Sequence, residues 1–152
     1  MAGLEITCQE IQSILPHRYP FLLVDKIIDF EAGRRITGIK NVTCNEPYFP
    51  GHFPGQPVMP GVLQLEVMAQ VGAVLALKGA QGPGRSIVYL AGVDKAKFRK
   101  PVFPGDQLTV DVEVLKQKAA FWKMQGKILV DSTLVCEAEM TAMVTQESVT
   151  HS

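Results

Sequence analysis

Two ionisable side chains in this chain stand in surroundings that ordinarily exclude them. His52 lies within a run of five prolines (Pro47, Pro50, Pro54, Pro57, Pro60) and three glycines (Gly51, Gly55, Gly61). Proline fixes φ and glycine admits backbone shapes closed to other residues, so this segment is a stiff, irregular mount. Tyr48, Phe49, Phe53, Val58 and Met59 flank the histidine, and dry surroundings favour the neutral imidazole that a general base needs. A loop histidine is more often a surface or hydrogen-bonded residue, and that reading stands beside the catalytic one. Glu66 is the sharper anomaly, because residues 62–77 are otherwise apolar on nearly every face. A carboxylate buried there must protonate, pair or face a wet cavity. Kept protonated by apolar neighbours it can act as a general acid; a structural, hydrogen-bonded glutamate is the alternative. Base and acid thus fall within one loop–helix unit, with nothing to say whether they meet in one subunit or across two. Gly61 sits at the helix start, where N–H groups are unpaired and the helix dipole is positive. One such donor aimed at a developing oxyanion is worth about 3 kcal/mol. Tight turning or helix packing would call for the same glycine.

Other chemistries find less support. His17 is remote from His52 in sequence, no His-Glu-x-x-His pattern occurs and no three ligands cluster, so no catalytic metal is expected. Nucleophile-elbow, Walker and dinucleotide fingerprints are missing. Residues 79–84 form a glycine-rich loop without the Lys-Ser/Thr that a phosphate loop requires. Lys95, Lys97, Arg99 and Lys100 make a basic cluster. It reads either as a solvated strand face or as a docking patch for a phosphate-bearing or acidic partner.

The elements that must position these residues follow from the pattern. A chain of 152 residues with 47% apolar and 20% charged residues is a single globular domain, residues 1–152, able to bury a core. Fifteen basic and fifteen acidic residues cancel, which argues against a general nucleic-acid binder. Three widely spaced cysteines without a Cys-x-x-Cys pair read as reduced thiols. With no visible signal peptide, the expected location is cytoplasmic. The apolar run 61–77 approaches membrane-spanning length, but Glu66 and two glutamines interrupt it, so it reads as a buried helix and no membrane partner is expected. Thr7-Cys8-Gln9-Glu10 has the form of a capping box opening a short helix that ends before Pro16. Residues 21–30 and 35–43 suggest a hairpin around a turn at 31–34, and residues 86–93 a strand. Leu108, Val110, Val112 and Val114 alternate with Thr109, Asp111 and Glu113, a period of two. Phe121–Val130 and residues 134–144 continue as strands around a turn at Asp131-Ser132. The sum is an α+β domain in which five or six mostly antiparallel strands wrap one long helix.

Leu15-Pro16-His17-Arg18-Tyr19-Pro20-Phe21-Leu22-Leu23-Val24-Asp25 resembles the opening of the bacterial 3-hydroxyacyl-acyl-carrier-protein dehydratases. Asn41-Val42-Thr43 and Asn45-Glu46-Pro47, Gly51-His52-Phe53-Pro54-Gly55, Pro57-Val58-Met59-Pro60-Gly61-Val62-Leu63 and Glu66-Val67-Met68-Ala69-Gln70 follow in the family's order and spacing. Asp94-Lys95-Ala96-Lys97-Phe98-Arg99, Pro101-Val102 and Pro104-Gly105-Asp106 are similar to its later basic segment, so the likeness runs over about residues 11–146.

The resemblance implies the hotdog fold and a homodimer with both active sites at the interface, often three dimers forming a hexamer. His52 takes the position of the family's catalytic histidine, and Glu66 that of its catalytic glutamate, contributed by the partner subunit. Gly61 falls where an amide meets the thioester carbonyl. Tyr89 matches a tyrosine that gates the acyl tunnel, and Met59, Leu63, Val67 and Phe53 are expected as further apolar walls. The basic cluster lies where an acyl carrier protein, with its phosphopantetheine-linked 3-hydroxyacyl chain, would dock. Glutamate at position 66, where the isomerising subfamily has aspartate, favours the non-isomerising branch. The expected reaction is dehydration of a (3R)-3-hydroxyacyl thioester to the trans-2-enoyl product without a cofactor. A hotdog acyl thioesterase, with Glu66 activating water, and a non-catalytic acyl-chain binding module are the competing readings.

Overall fold

The capping box forms as expected: Thr7 accepts from the Glu10 N–H and the Glu10 side chain accepts from the Thr7 N–H, which starts helix α1, Cys8–Ile14. The computed structural model describes residues 4–78 and 86–146, so the expected 79–84 loop lies outside the described residues. Strands β1 (Lys26–Glu31) and β2 (Arg35–Asn41) form the first hairpin. Helix α2 covers Gly61–Lys78, and strands β3 (Ser86–Phe98), β4 (Gln107–Lys118), β5 (Phe121–Val130) and β6 (Thr133–Gln146) complete the chain. All pairings are antiparallel, in the order β1-β2-β4-β5-β6-β3. One long helix packed against one six-stranded antiparallel sheet is the hotdog fold.

Alternation decides which face of the sheet meets α2. Leu108, Val110 and Val112 of β4 are buried while Asp111 and Glu113 are exposed, and Cys136, Ala138, Met140 and Ala142 of β6 repeat the pattern. Val67, Met68, Val71 and Val74 fill the space between helix and sheet. Two glycines set that spacing. A Cβ at Gly38 of β2 would lie 2.7 Å from Val71 Cγ2, and one at Gly126 of β5 would lie 2.7 Å from Met68 Sδ. Side chains at either place would push the helix off the sheet.

Two boundaries differ most from expectation. The first strand begins at Lys26 instead of residue 21, because Phe21 O and the Leu23 N–H are bound by the Gln70 side chain and cannot join a ladder. Strand β3 runs to Phe98, five residues past the expected end at 93, carrying Lys95 and Lys97 of the basic cluster into the sheet through a register shift between Asp94 and Lys97, while Arg99 and Lys100 follow its end. It is an edge strand, pairing with β6 alone among the described residues.

Candidate active site

The mount of His52 is built from short hydrogen bonds. Phe49–Gly51 form a single 3₁₀ turn whose first residue is buried, and the His52 N–H closes it on Phe49 O at 3.1 Å. Phe53 and Gln56 exchange backbone bonds of 3.0 and 2.9 Å across a tip that needs Gly55 at φ 75°. The Val58 N–H donates to His52 O at 3.0 Å, and Val58 O lies 2.6 Å from His52 Nδ1. The Met59 N–H then ties the segment to Val102 O at 2.9 Å. His52 is therefore held to Val58 at two points, and its ring stacks on Phe53 with centroids 4.0 Å apart. Since a carbonyl can only accept, Nδ1 carries the hydrogen and Nε2 presents its lone pair outward. That is the tautomer a general base requires.

Beside this segment, Tyr48 and Phe49 meet edge to face at 4.7 Å. Burial, with Glu46 adding to it, raises the pKa of the Tyr48 phenol well above the ordinary range, so it stays protonated. The chain leading in is pinned by Lys40, whose ammonium lies 3.2 and 3.1 Å from the two carboxylate oxygens of Glu46.

Glu66 sits on α2, one turn from Gln70, with a quarter of its side chain exposed (26%). Gln70 is buried and its amide is fully used: Oε1 accepts from the Leu23 N–H at 2.9 Å, while Nε2 donates to Phe21 O at 2.8 Å and to Glu66 Oε1 at 3.0 Å. The Leu23 N–H can only donate, which fixes the amide's orientation and makes Gln70 a donor to the carboxyl. The histidine beside Glu66 within one chain is His17, with Nε2 3.6 Å from Glu66 Oε1. His52 is not among the partners of Glu66 in the described residues.

His17, Glu66 and Gln70 form the polar part of a cavity of about 110 Å³. The rest of its wall is apolar, from Ala69, Ala73, Val88, Leu90, Met124 and Met140. The expected tunnel residues fall elsewhere within one chain. Met59 and Val67 are core residues, 1% and 0% exposed, and Leu63 lines a separate hollow with Pro20, Phe21 and Tyr48. Val88 and Leu90 face the cavity, so alternation along β3 turns Tyr89 to the opposite face, where it is more than half exposed. Phe53 is similarly exposed.

Gly61 is the first residue of α2. Leu63 and Gln64 donate to Pro60 O, whereas the Gly61 N–H finds no backbone acceptor among the described residues. A Cβ here would come within 2.8 Å of the Phe98 ring, so packing by itself demands glycine. Of the basic cluster, Lys95 pairs with Glu139 and Arg99 with Glu137 at 3.5 and 3.3 Å. Lys97 and Lys100 carry no ion pair among the described residues. In the sequence His17 stands out only as a candidate metal ligand, and Gln70 only as a polar break in an apolar run. The i,i+4 spacing of Glu66 and Gln70 was the available signal for the latter.

A six-stranded antiparallel sheet wrapped on a long helix, with Glu66 lining an apolar cavity and a clamped histidine on the preceding loop, defines the class: proteins of the hotdog fold. Comparison with known proteins narrows it. Residues 15–139 match the FabA-like domain. The chain is 52% identical over 149 residues to the 3-hydroxyacyl-[acyl-carrier-protein] dehydratase FabZ of Magnetococcus marinus, covering 96% of each chain. It is 56% identical over 137 residues to the protein of the same name from Desulforamulus reducens, covering 90% of this chain and 96% of that one. Among solved structures it is similar to the dehydratase heterocomplex ApeI:P of Xenorhabdus doucetiae, with a TM-score of 0.76 at 19% identity over 91% of each chain. The PaaI protein of E. coli gives a TM-score of 0.61 at 16% identity, over 77% of this chain and 80% of that one. These two likenesses are of fold. The chain belongs to the FabA-like family and, within it, to the 3-hydroxyacyl-[acyl-carrier-protein] dehydratases of the FabZ type.

Proposed function

We propose that the protein eliminates water from (3R)-3-hydroxyacyl chains carried on acyl carrier protein, giving the trans-2-enoyl thioester of fatty-acid elongation. It is a hydro-lyase, and a cytoplasmic setting goes with that reaction. The observation that carries the site assignment is the Val58 clamp, which leaves His52 Nε2 as a free lone pair on a stiff mount. His52 takes the C2 proton, whose acidity comes from the neighbouring thioester carbonyl, so the scheme uses no cofactor. The C2–H electrons become the C2=C3 bond as the C3–O bond breaks, and the hydroxyl leaves as water with the proton of Glu66. The resting state returns when the proton on His52 passes to Glu66 through solvent. The Gly61 N–H answers the charge gathering on the thioester oxygen, a contribution of about 3 kcal/mol.

Among the described residues His52 and Glu66 do not pair within one chain, and β3 presents an unpaired edge with Tyr89, Leu90 and Phe98 exposed. Both observations support a homodimer in which each site joins His52 of one subunit to Glu66 of the other. Three such dimers as a hexamer rest on the family resemblance. In the dimer the apolar cavity behind Glu66 takes the acyl chain, with Tyr89 and Phe53 at its approach. Lys97 and Lys100, free of ion pairs among the described residues, are the better candidates in the basic cluster for the acidic carrier or its phosphopantetheine phosphate.

Mass analysis of products from 3-hydroxyacyl-carrier substrates tests the reading. Loss of one water supports it. Release of free carrier thiol would mark a thioesterase, and tight binding without turnover an acyl-chain binding module. His52→Ala is expected to slow dehydration by about 10²–10⁴-fold, and Glu66→Gln to slow it with folding preserved. Near-normal turnover by H52A would overturn the assignment of the base.

A further inference from the structure

The loop that carries His17 is fixed to the fold from both sides. The Arg18 guanidinium donates to Leu15 O at 2.9 Å, to His17 O at 2.6 Å and to Gln12 O at 2.8 Å, holding the backbone against the end of α1. Phe21 and Leu22 both donate to Arg18 O, and Gln70 then grips Phe21 and Leu23 from α2. The imidazole delivered by this loop lines the cavity, and His17 and Glu66 are the titratable groups there. Its Nε2 faces Glu66 Oε1, the same oxygen that already accepts from Gln70 Nε2.

The other ring nitrogen decides the tautomer. His17 Nδ1 is buried and has no hydrogen-bond partner among the described residues. An N–H at that position would be stranded without an acceptor, at a cost that a bare lone pair avoids in part. The ring hydrogen therefore belongs on Nε2, directed at Glu66. At 3.6 Å the contact is longer than a hydrogen bond, and a closure of about half an ångström makes it one, a tightening common when substrate fills an active site.

We propose that His17 is a positioning residue for Glu66: together with Gln70 it occupies Oε1, leaving Oε2 as the atom that exchanges a proton with the departing hydroxyl. This rests on the dehydration reading above. With donors from two elements on one oxygen, the carboxyl cannot turn to offer Oε1 to substrate, and its acidic hydrogen is confined to the oxygen facing the acyl C3. The role differs from that of His52. His17 takes no proton from carbon; it holds the acid in one orientation.

The test compares His17→Phe, which keeps the ring and removes the donor, with His17→Gln, whose amide nitrogen falls near the position of Nε2. Dehydration of a 3-hydroxyacyl-pantetheine thioester is followed across pH, alongside thermal melting and ¹³C NMR titration of the Glu66 side-chain carboxyl, assigned by its loss in E66Q. H17F is expected to lower kcat about 10–100-fold, the range of a hydrogen bond to a charged group, with KM little changed because the lost contact orients a reacting group. Removing an N–H donor destabilises the carboxylate, so the Glu66 titration and the matching limb of the kcat profile should move to higher pH in H17F. H17Q should restore much of both. Where phenylalanine prevents folding, His17→Asn, which places its amide nitrogen near Nδ1 instead, supplies the same contrast with H17Q. Wild-type turnover by H17F with an unmoved carboxyl titration would overturn the proposal. So would equal slowing of H17F and H17Q with Glu66 titrating as in the wild type, which marks His17 as scaffold. A wild type that forms no enoyl thioester overturns the dehydration reading and His17's part in it, whereas an active wild type with an indifferent H17F overturns the present proposal alone.

Discussion

Lys40 and Glu46 form the most consequential ion pair for the mount of His52, and removing one partner should be costly. Their side chains are 7% and 11% exposed, which takes the pair out of the surface regime, where ion pairs contribute about 0–1 kcal/mol. The ammonium reaches both carboxylate oxygens, at 3.2 and 3.1 Å, and at an effective dielectric near 20 such a contact is worth about 5 kcal/mol before desolvation is subtracted. Lys40→Met leaves the Glu46 carboxylate buried with the Thr43 N–H as its remaining donor among the described residues. The expected loss is about 3–5 kcal/mol, a fall in Tm of roughly 6–20 °C for a domain of this size. Because the Phe49 N–H donates to Glu46 O and Phe49 opens the turn ending at His52, the damage should reach the site as well. Urea unfolding measures the stability, and hydrogen exchange at the His52 and Met59 amides measures the mount. The double variant K40M/E46L removes both charges and should recover most of the loss. A K40M protein within about 1 kcal/mol of wild type, with His52 exchange unchanged, would refute the argument that this pair holds the loop.

Three further outcomes follow from packing and protonation. Gly38→Ala should cost more than Gly126→Ala, although the new Cβ meets an atom at 2.7 Å in both. Val71 is β-branched and stiff, Met68 is a flexible thioether, and overpacking costs typically about 1–3 kcal/mol; equal losses in urea unfolding would contradict that reasoning. Cys8 and Cys44 are exposed and Cys136 is buried, with desolvation first and Glu137 second raising its thiol pKa from 9.0 to about 11. Ellman's reagent at pH 8 should therefore label Cys8 and Cys44 quickly and Cys136 only on unfolding. The same shift has a sign for stability: the unfolded thiol ionises near 9 while the folded one keeps its proton to about 11, so the Cys136 contribution should decline as pH rises through that interval. A Cys136→Ala variant, compared by urea unfolding across the interval, should lack that part of the decline.

Much of this fold was legible because its signals are local. Alternation at residues 108–114 and an apolar run too interrupted for a membrane are enough to imply a sheet wrapped on a helix, and β4 and α2 formed where those patterns lie. The misjudged boundaries share one cause: the deciding partner is distant in sequence. Residues 21–25 carry strand-like side chains, but the groups that would extend the ladder are taken by Gln70, 47 and 49 positions away. Residues 94–98 break the apolar pattern that suggests a strand ending at 93, yet they pair with β6 because an edge strand can keep its charges in solvent on both faces.

The site divides the same way. His52 and Glu66 betrayed themselves by sitting where their types are expensive, a property of the immediate sequence. His17 did not, since a histidine in a loop costs nothing until the fold buries its Nδ1 with no partner among the described residues. Its claim to a role comes from a geometric coincidence: two donors, from elements far apart in the chain, converge on one oxygen of the carboxyl. A structural glutamate would be equally satisfied with donors shared between its two oxygens. Gathering both donors toward one oxygen is the arrangement that would let a carboxyl lining a cavity pass a proton from the other.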